Sequence, residues 1–291
     1  MFSAEVKKNI LLAPYTSFKI GGPAAYFFIA KSEAQLKNII AEANNDQIPY
    51  FILGKGSNIL IADEGYKGLV IKLEFNKITA SNNQVTASAD IGLGSVLNFC
   101  KDNNLSGLEF FTGIPASVGG AIWANAGSLQ ENIGQLVESV KIIDKNGKLL
   151  ELAQKDCLFS YRDSIFKHHR DYIILETVLN LQPADQEKIA EKMKKMIENK
   201  LKIQDLNHPS IGSIFKNPAG NKKAWELITE VGLAGYKMGD AQVSEKHANF
   251  IINTGQATAS DVIMLISLIK QKVRDELKVQ LMEEIEYIGF N

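Results

Sequence analysis

Apolar positions in the first third of the chain recur with two different periods. Leu36, Ile39, Ile40 and Ala43 lie on one face of a 3.6-residue repeat. Ser32 precedes them and Gln35 follows it by three, the spacing of a capping box, so a helix is predicted that Asn44 and Asn45 end. Shorter apolar runs at 50–53, 59–62 and 69–71 predict strands. They are separated by Gly54-Lys55-Gly56-Ser57-Asn58 and by a turn at Glu64-Gly65, an order that fits an α/β or α+β layer.

Residues 85–90 predict a strand, and 95–102 a short helix carrying Val96, Leu97, Phe99 and Cys100. Runs at 137–144 and 148–152 flank Lys145-Asn146-Gly147, and Asn-Gly between apolar runs is the strongest short hairpin signal. A further strand is predicted at 172–181, and Gln182-Pro183-Ala184-Asp185 forms the clearest boundary. Beyond it Ile189, Met193, Met196, Ile197 and Leu201 fall at helical spacing. Six lysines and five acids over 185–205 cover the other face, which reads as solvated rather than as a binding stripe. Asn221 is the expected cap of a helix bearing Ala224, Trp225, Leu227, Ile228 and Val231, stopped by Gly232. Thr258 with Asp261 is the expected cap of another, bearing Val262, Leu265, Ile266, Ile269 and Val273. Alternation of Val279, Leu281, Ile285 and Tyr287 predicts a closing strand.

Composition narrows the class. A chain of 291 residues suggests about two domains. Lys plus Arg is 32 and Asp plus Glu is 33, so no single-signed field points to nucleic acid or an anionic membrane. The longest nearly unbroken apolar run, 262–269, is far short of the ~18 residues of a membrane span, and the N-terminal segment does not read as a signal peptide. Cys100 and Cys157 are too few for a disulfide framework or a zinc site, and four histidines argue against a metal centre. The expectation is a cytoplasmic protein that binds no metal, nucleic acid or membrane.

Three glycine-rich stretches are candidate chemistry. Gly54, Lys55, Gly56, Ser57 and Asn58 follow an apolar strand; backbone N–H groups of such a loop converge on an anion, or the loop is a tight turn. Gly92-Leu93-Gly94 resembles the start of a dinucleotide fingerprint, but Leu97 replaces the third glycine, so it reads as an ordinary strand-to-helix turn. The third stretch, 113–127, holds Gly113, Gly119, Gly120 and Gly127 around Trp123 and Asn125. It either presents bare backbone to a flat ligand ring or crosses another backbone closely.

Together with Thr16-Ser17-Phe18-Lys19-Ile20-Gly21-Gly22, Tyr161-Arg162-Asp163-Ser164, Gly212-Ser213-Ile214-Phe215-Lys216-Asn217-Pro218 and the run from Ala241-Gln242-Val243-Ser244 through His247-Ala248-Asn249-Phe250, these stretches form an ordered set. In that order the sequence resembles the UDP-N-acetylenolpyruvoylglucosamine reductases (UDP-N-acetylmuramate dehydrogenases) of peptidoglycan synthesis over nearly the whole chain. Lys19 stands where arginine is usual and Ala116 where glycine is common. Only 50 residues separate Arg162 from Ser213, which suits the shorter subclass lacking a tyrosine-bearing insertion.

The resemblance implies an α+β fold: a two-lobed FAD-binding domain of the vanillyl-alcohol-oxidase type at 1–74 and 75–183, then an α+β substrate-binding domain at 184–291 whose closing strand returns to the FAD part. It implies non-covalent FAD at Gly54, Lys55, Gly56, Ser57 and Asn58 and at Gly113, Ile114, Pro115, Ala116, Ser117, Gly119, Gly120, Ala121, Asn125 and Gly127. NADPH is the implied hydride donor, and a UDP-sugar enolpyruvyl ether the implied acceptor in a ping-pong sequence. Arg162 suits a carboxylate clamp, since guanidinium is always charged and bidentate; a structural ion pair with Asp163 or Glu176 is the alternative. Ser213 is the implied proton donor or, alternatively, a turn cap, and Glu284 is the implied third catalytic group or a surface acid. Tyr161, Lys216, Asn217 and Gln242 are implied substrate contacts; His247 and Asn249 are contacts or satisfied structural groups. A monomer is expected. Another FAD-dependent oxidase on the same fold is the alternative function, although no histidine in 1–167 is present to hold flavin covalently.

Overall fold

The structure, a computed structural model, describes residue 2 and residues 5–128 and 130–290. From the N-terminus run β1 (Lys7–Leu11), β2 (Pro23–Ala30), α1 (Glu33–Asn45), β3 (Tyr50–Ile52), β4 (Ile59–Ile61), β5 (Tyr66–Leu73), β6 (Ile78–Ser81) and β7 (Gln84–Ser88). Then come α2 (Leu93–Asp102), β8 (Leu105–Ser106), α3 (Val118–Ala124), β9 (Val137–Ile143), β10 (Leu149–Ala153), α4 (Ile165–His168), β11 (Ile173–Asn180) and β12 (Gln182–Pro183). The chain continues through α5 (Gln186–Ile203), β13 (Ser210–Ser213), α6 (Ala224–Glu230), β14 (Lys237–Met238), β15 (Ala241–Val243), β16 (Phe250–Asn253), α7 (Ala259–Leu277) and β17 (Glu286–Ile288). Two compact units share these elements. One takes residues 27–55 and 69–199; the other takes 7–26, 56–68 and the chain from 200 onward. They interleave along the sequence, whereas the division expected from sequence is contiguous.

The first unit is built on an antiparallel sheet in the order β10-β9-β11-β7-β6. The predicted hairpin is β9–β10, with Leu149 opposite Ile143. Its loop runs over 144–148 and only Gly147 has positive φ, at 76°. Asp144 Oδ1 accepts the Asn146 and Lys148 N–H groups at 2.9 Å, so an Asx turn replaces a two-residue Asn-Gly turn. Helix α3 packs on β7 and β11. Gly119 sits at the closest approach: its N–H donates to Ala89 O at 2.9 Å, and a Cβ there would lie 2.8 Å from that of Ala89.

Helix α1 begins as the sequence predicts, with Ser32 Oγ accepting from Gln35 N at 3.2 Å, and buries Leu36, Ile39, Ile40 and Ala43. Helix α2 begins two residues before the predicted start. In α5 the spacing is helical but burial is slight: only Ile189 is buried, and Leu201 is 51% exposed.

The second unit holds an antiparallel sheet in the order β13-β16-β15-β14, packed against α7, which also packs on α6. Its core joins Phe18 and Leu60 to Ile211, Phe215, Ile251, Val262, Leu265 and Ile266. Buried side chains of this size contribute about 1.5–3 kcal/mol each, so α7, with five of its six buried residues predicted, is a main source of cohesion. Strand β17 is shorter than the predicted alternation and lies parallel to β4, with Glu286 opposite Ile59 and Ile288 opposite Ile61.

The two helix starts differ in how they are capped. At α7, Thr258 Oγ1 accepts from Asp261 N at 3.1 Å and Asp261 Oδ2 accepts from Thr258 N at 2.9 Å. Asp63 takes Ala259 N at 2.7 Å and Ser260 N at 3.0 Å. At α6 the expected cap Asn221 is not used. Asn217 Oδ1 instead accepts from Ala224 N at 3.1 Å, and Glu226 Oε2 from Lys223 N at 2.6 Å. The predicted stop is present: Gly232 has φ 70°.

Thr258→Ala is expected to remove about 1 kcal/mol of stability, seen as a lower urea midpoint at unchanged slope.

Candidate active site

Within the first unit, Gly54 meets the stretch 113–127 at the start of α3. The stretch 113–127 is not one loop. Residues 113–116 lead to Ser117, whose Oγ accepts from Gly120 N at 3.3 Å and caps α3. Gly119 and Gly120 therefore lie in the first turn of a helix, and Gly120 is exposed there. A Cβ on Gly54 would lie 2.7 Å from Ser117 Oγ, so bare backbone is required where these segments meet.

The loop 54–58 has the donors an anion needs. No N–H from Gly54 through Asn58 is used by another backbone or side-chain acceptor among the described residues. Lys72 donates to Gly54 O at 3.1 Å, and its ammonium is pulled below the usual lysine range by burial and then by the nearby Lys55. Sequence reading did not single out Lys72, although a lone lysine inside the apolar run 69–73 was a visible signal. Five successive N–H groups without an acceptor among the described residues, with two cations beside them, fit the diphosphate of a dinucleotide such as FAD. Lys55 passes Gly92, whose Cβ would lie 3.5 Å from Lys55 Cε.

Arg162 occupies the tip of a tight turn. Ser160 N donates to Asp163 O at 3.1 Å and Asp163 N returns to Ser160 O at 3.2 Å. Arg162 Nη1 donates to Gly127 O, and its guanidinium lies 5.7 Å from the Tyr161 ring centroid. Asp163 is taken by His168, at 2.9 Å. Burial pushes the Asp163 carboxyl up, but the His168 bond and the Ser164 N–H outweigh it and hold it below the usual range. Asn125 is 4% exposed, and both ends of its amide are used: Nδ2 donates to Ser160 O at 2.7 Å and Oδ1 accepts from Gly134 N at 3.0 Å.

In the second unit, Ser213, Lys216 and Glu284 lie on adjoining backbones. Phe215 bridges to Glu283, Glu284 N donates to Ile214 O at 2.8 Å, and Lys216 N donates to Met282 O at 2.9 Å. Asn58 Nδ2 donates to Glu284 O at 3.1 Å. Strand β13 bulges between Ser210 and Ser213, where Gly212 has φ 79°; a bulge re-aims the side chain that follows. Ser213 Oγ has no hydrogen-bond partner among the described residues.

The opposite edge of this segment is held by Asn249. Its Oδ1 accepts from Phe215 N at 2.9 Å and its Nδ2 donates to Phe215 O at 2.8 Å, both buried. Asn249 thus takes the structural role left open by its sequence. Among the implied substrate contacts, Gln242 Nε2 donates to Gly235 O at 3.1 Å, Asn217 caps α6, and Lys216 is half-buried.

His247 packs between Trp225, 6.1 Å away by ring centroids, and Phe250, at 4.8 Å and edge-on. Its Nδ1 is buried with no partner among the described residues, and burial foremost, with Lys223, pushes the imidazole below its ordinary range. Burial pushes the Cys100 and Cys157 thiols up to about 12, so neither is a ready nucleophile. Among the described residues no group of His, Cys, Asp and Glu could hold a metal ion, and no helix is long and apolar enough to cross a membrane.

Residues 24–153 match the family model of the FAD binding domain. With the donor loop and the glycine turn of α3 inside that span, the fold and site define an FAD-binding oxidoreductase. Residues 202–288 match the model "UDP-N-acetylenolpyruvoylglucosamine reductase, C-terminal domain". The chain is 41% identical over 286 residues to the UDP-N-acetylenolpyruvoylglucosamine reductase of Clostridium novyi, covering 98% of this chain and 92% of that protein. It is 40% identical over 289 residues to that of Clostridium tetani, covering 99% and 93%. The crystal structure of the Thermus caldophilus UDP-N-acetylenolpyruvylglucosamine reductase superposes with a TM-score of 0.82 at 33% identity, over 98% of this chain and 99% of that one. The chain belongs to the UDP-N-acetylenolpyruvoylglucosamine reductase family.

Asn249→Ala leaves two buried Phe215 backbone groups unpaired. A loss of about 1–3 kcal/mol for each is expected in urea unfolding. His247 gives a pH signature. Its folded-state pKa is depressed, so the folded protein takes this proton up later than the unfolded chain does. The contribution of the neutral ring is full above about pH 6.5 and is lost as pH falls below it. His247→Phe is therefore expected to flatten the fall of Tm between about pH 7.5 and about pH 5.5 relative to wild type.

Proposed function

We propose that the protein reduces UDP-N-acetylglucosamine enolpyruvate to UDP-N-acetylmuramate with NADPH as donor, in a ping-pong sequence. The observation that supports it most directly is the Ser213 hydroxyl, which has no partner among the described residues, at a strand bulge on backbone adjoining that of Glu284. A hydroxyl held so, with no acceptor among the described residues, is available to a substrate atom.

FAD, when bound at the loop 54–58 and the first turn of α3, supplies the hydride chemistry between NADPH and the vinyl group of the substrate. The chain's own residues manage charge and the second hydrogen. Hydride arriving at one vinyl carbon leaves negative charge on the neighbouring carbon and its carboxylate. Arg162 binds that carboxylate, and a fixed cation is worth most where charge develops. Ser213 gives its proton to the α carbon, which completes the addition of hydride plus proton across the double bond. Glu284 orders the carboxylate end of the substrate, and Lys216 and Gln242 hold its nucleotide-sugar part. Asn217 shares that role only through its NH2 group, because its carbonyl oxygen caps α6. The reaction belongs to the cytoplasm, and the enzyme works as a monomer.

The test is the visible spectrum of the FAD-loaded protein, followed by stopped flow. Anaerobic NADPH is expected to bleach the flavin band and the enolpyruvyl nucleotide sugar to restore it. In Ser213→Ala the bleaching rate is unchanged and the restoring rate falls by about 10²-fold or more. Restoration at the wild-type rate would remove Ser213 from the chemistry; restoration by oxygen alone would replace the reductase with an oxidase.

A further inference from the structure

We propose that Asn125 is the positioning residue for Arg162: its side chain sets where the guanidinium stands relative to α3. The inference rests on Arg162 being the substrate-carboxylate clamp.

Arg162 has φ 56°, whereas Tyr161 is not among the residues with positive φ. Positive φ at the second tip position alone is the pattern of a type II turn, which favours glycine there. A long side chain in that conformation carries a cost of about 1 kcal/mol or more. Surrounding contacts must therefore hold it, and the described ones come largely from one short stretch, 123–127. Asn125 Nδ2 donates to Ser160 O at 2.7 Å, the same carbonyl that closes the turn. Ser164 Oγ donates to Trp123 O at 2.6 Å on the other side, and Arg162 itself donates to Gly127 O.

Asn125 is itself fixed. It ends α3 in the left-handed conformation, φ 42°, with its N–H on Ile122 O. Its Oδ1 is anchored on Gly134 N at 3.0 Å, where a Cβ on Gly134 would lie 2.8 Å from that oxygen and 2.6 Å from the Phe159 ring. With 4% exposure and both ends of the amide bonded to backbone, its side chain serves the turn and not a cofactor contact. The same seven-residue helix starts at the Ser117 cap beside Gly119 and Gly120. Asn125 therefore links the cofactor end of α3 to the turn that carries Arg162.

Two variants separate backbone from side chain. Asn125→Gly keeps the left-handed backbone and removes both side-chain bonds. Asn125→Asp keeps the acceptor for Gly134 N and removes the donor to Ser160 O, and it covers the case in which glycine does not fold. Each is made in wild type and in Arg162→Ala, and all are assayed loaded with FAD. The expected result is wild-type FAD content and FAD affinity, and NADPH bleaching within about twofold. The Kd for the enolpyruvyl nucleotide sugar rises, or the restoring rate falls, by about 10- to 100-fold. In Arg162→Ala the further substitution at 125 changes the restoring rate by less than about twofold, the mark of groups acting as one unit. Loss of FAD, or bleaching and restoration falling together, would overturn the proposal in favour of a cofactor or general structural role. So would full additivity with Arg162→Ala, or wild-type kinetics in both variants. If Arg162→Ala alone leaves restoration untouched, the clamp reading fails, an outcome distinct from any failure at Asn125.

Discussion

A backbone that leaves a helix or strand while still buried carries N–H and C=O groups that water cannot reach, and each must find a partner inside the protein. This chain meets that constraint with buried asparagines, whose amide offers a donor and an acceptor at fixed separation. Asn249 matches both to one residue, Phe215. Asn125 joins two segments, at Ser160 and Gly134. Asn253 gathers three, donating to Phe18 O at 3.2 Å and accepting from Gly255 N and Ala257 N at 3.0 and 3.1 Å. The irregular stretches that carry Ser213 and Arg162 are stable because of these brackets.

That arrangement separates support from chemistry. Ser213 lies at a strand bulge and Arg162 at a turn position with positive φ. The amides that hold those segments are interior: Asn249 and Asn125 are each 4% exposed. The loop 54–58 follows another rule: among the described residues its N–H groups have no protein acceptor.

The elements that could be read in advance were those whose signals fall in one short window. Helix α7 carries its reciprocal cap at Thr258 and Asp261 and its apolar face in consecutive turns, and both are observed. The α6 cap differs from the expected one because Asn217 reaches Ala224 across a loop, while Asn221 merely has the favoured residue type in the favoured place. Helix α3 was hidden by its own glycines, which lower helix propensity and resemble a loop. Ser213, Arg162 and Glu284 stand out through motifs, but Asn125, Asn249 and Lys72 take their meaning from partners that only the fold supplies. Asn58 and Glu284, bonded through side chain and carbonyl, are 226 positions apart.

The interleaving of the second unit has a consequence for how the chain is made. Residues 7–26 and 56–68 leave the ribosome early, yet the sheet and helices that cover Phe18 and Leu60 lie beyond residue 200. Strand β4 waits still longer for its parallel neighbour β17. The first unit's antiparallel sheet, drawn wholly from 78–180, is complete well before that. Biosynthesis therefore passes through a stage in which one folded unit carries early apolar segments whose partners do not yet exist. Long-range pairing of this kind folds slowly and leaves surface exposed to aggregation. Chaperone dependence at that stage would be a property of chain order, independent of how stable the finished protein is.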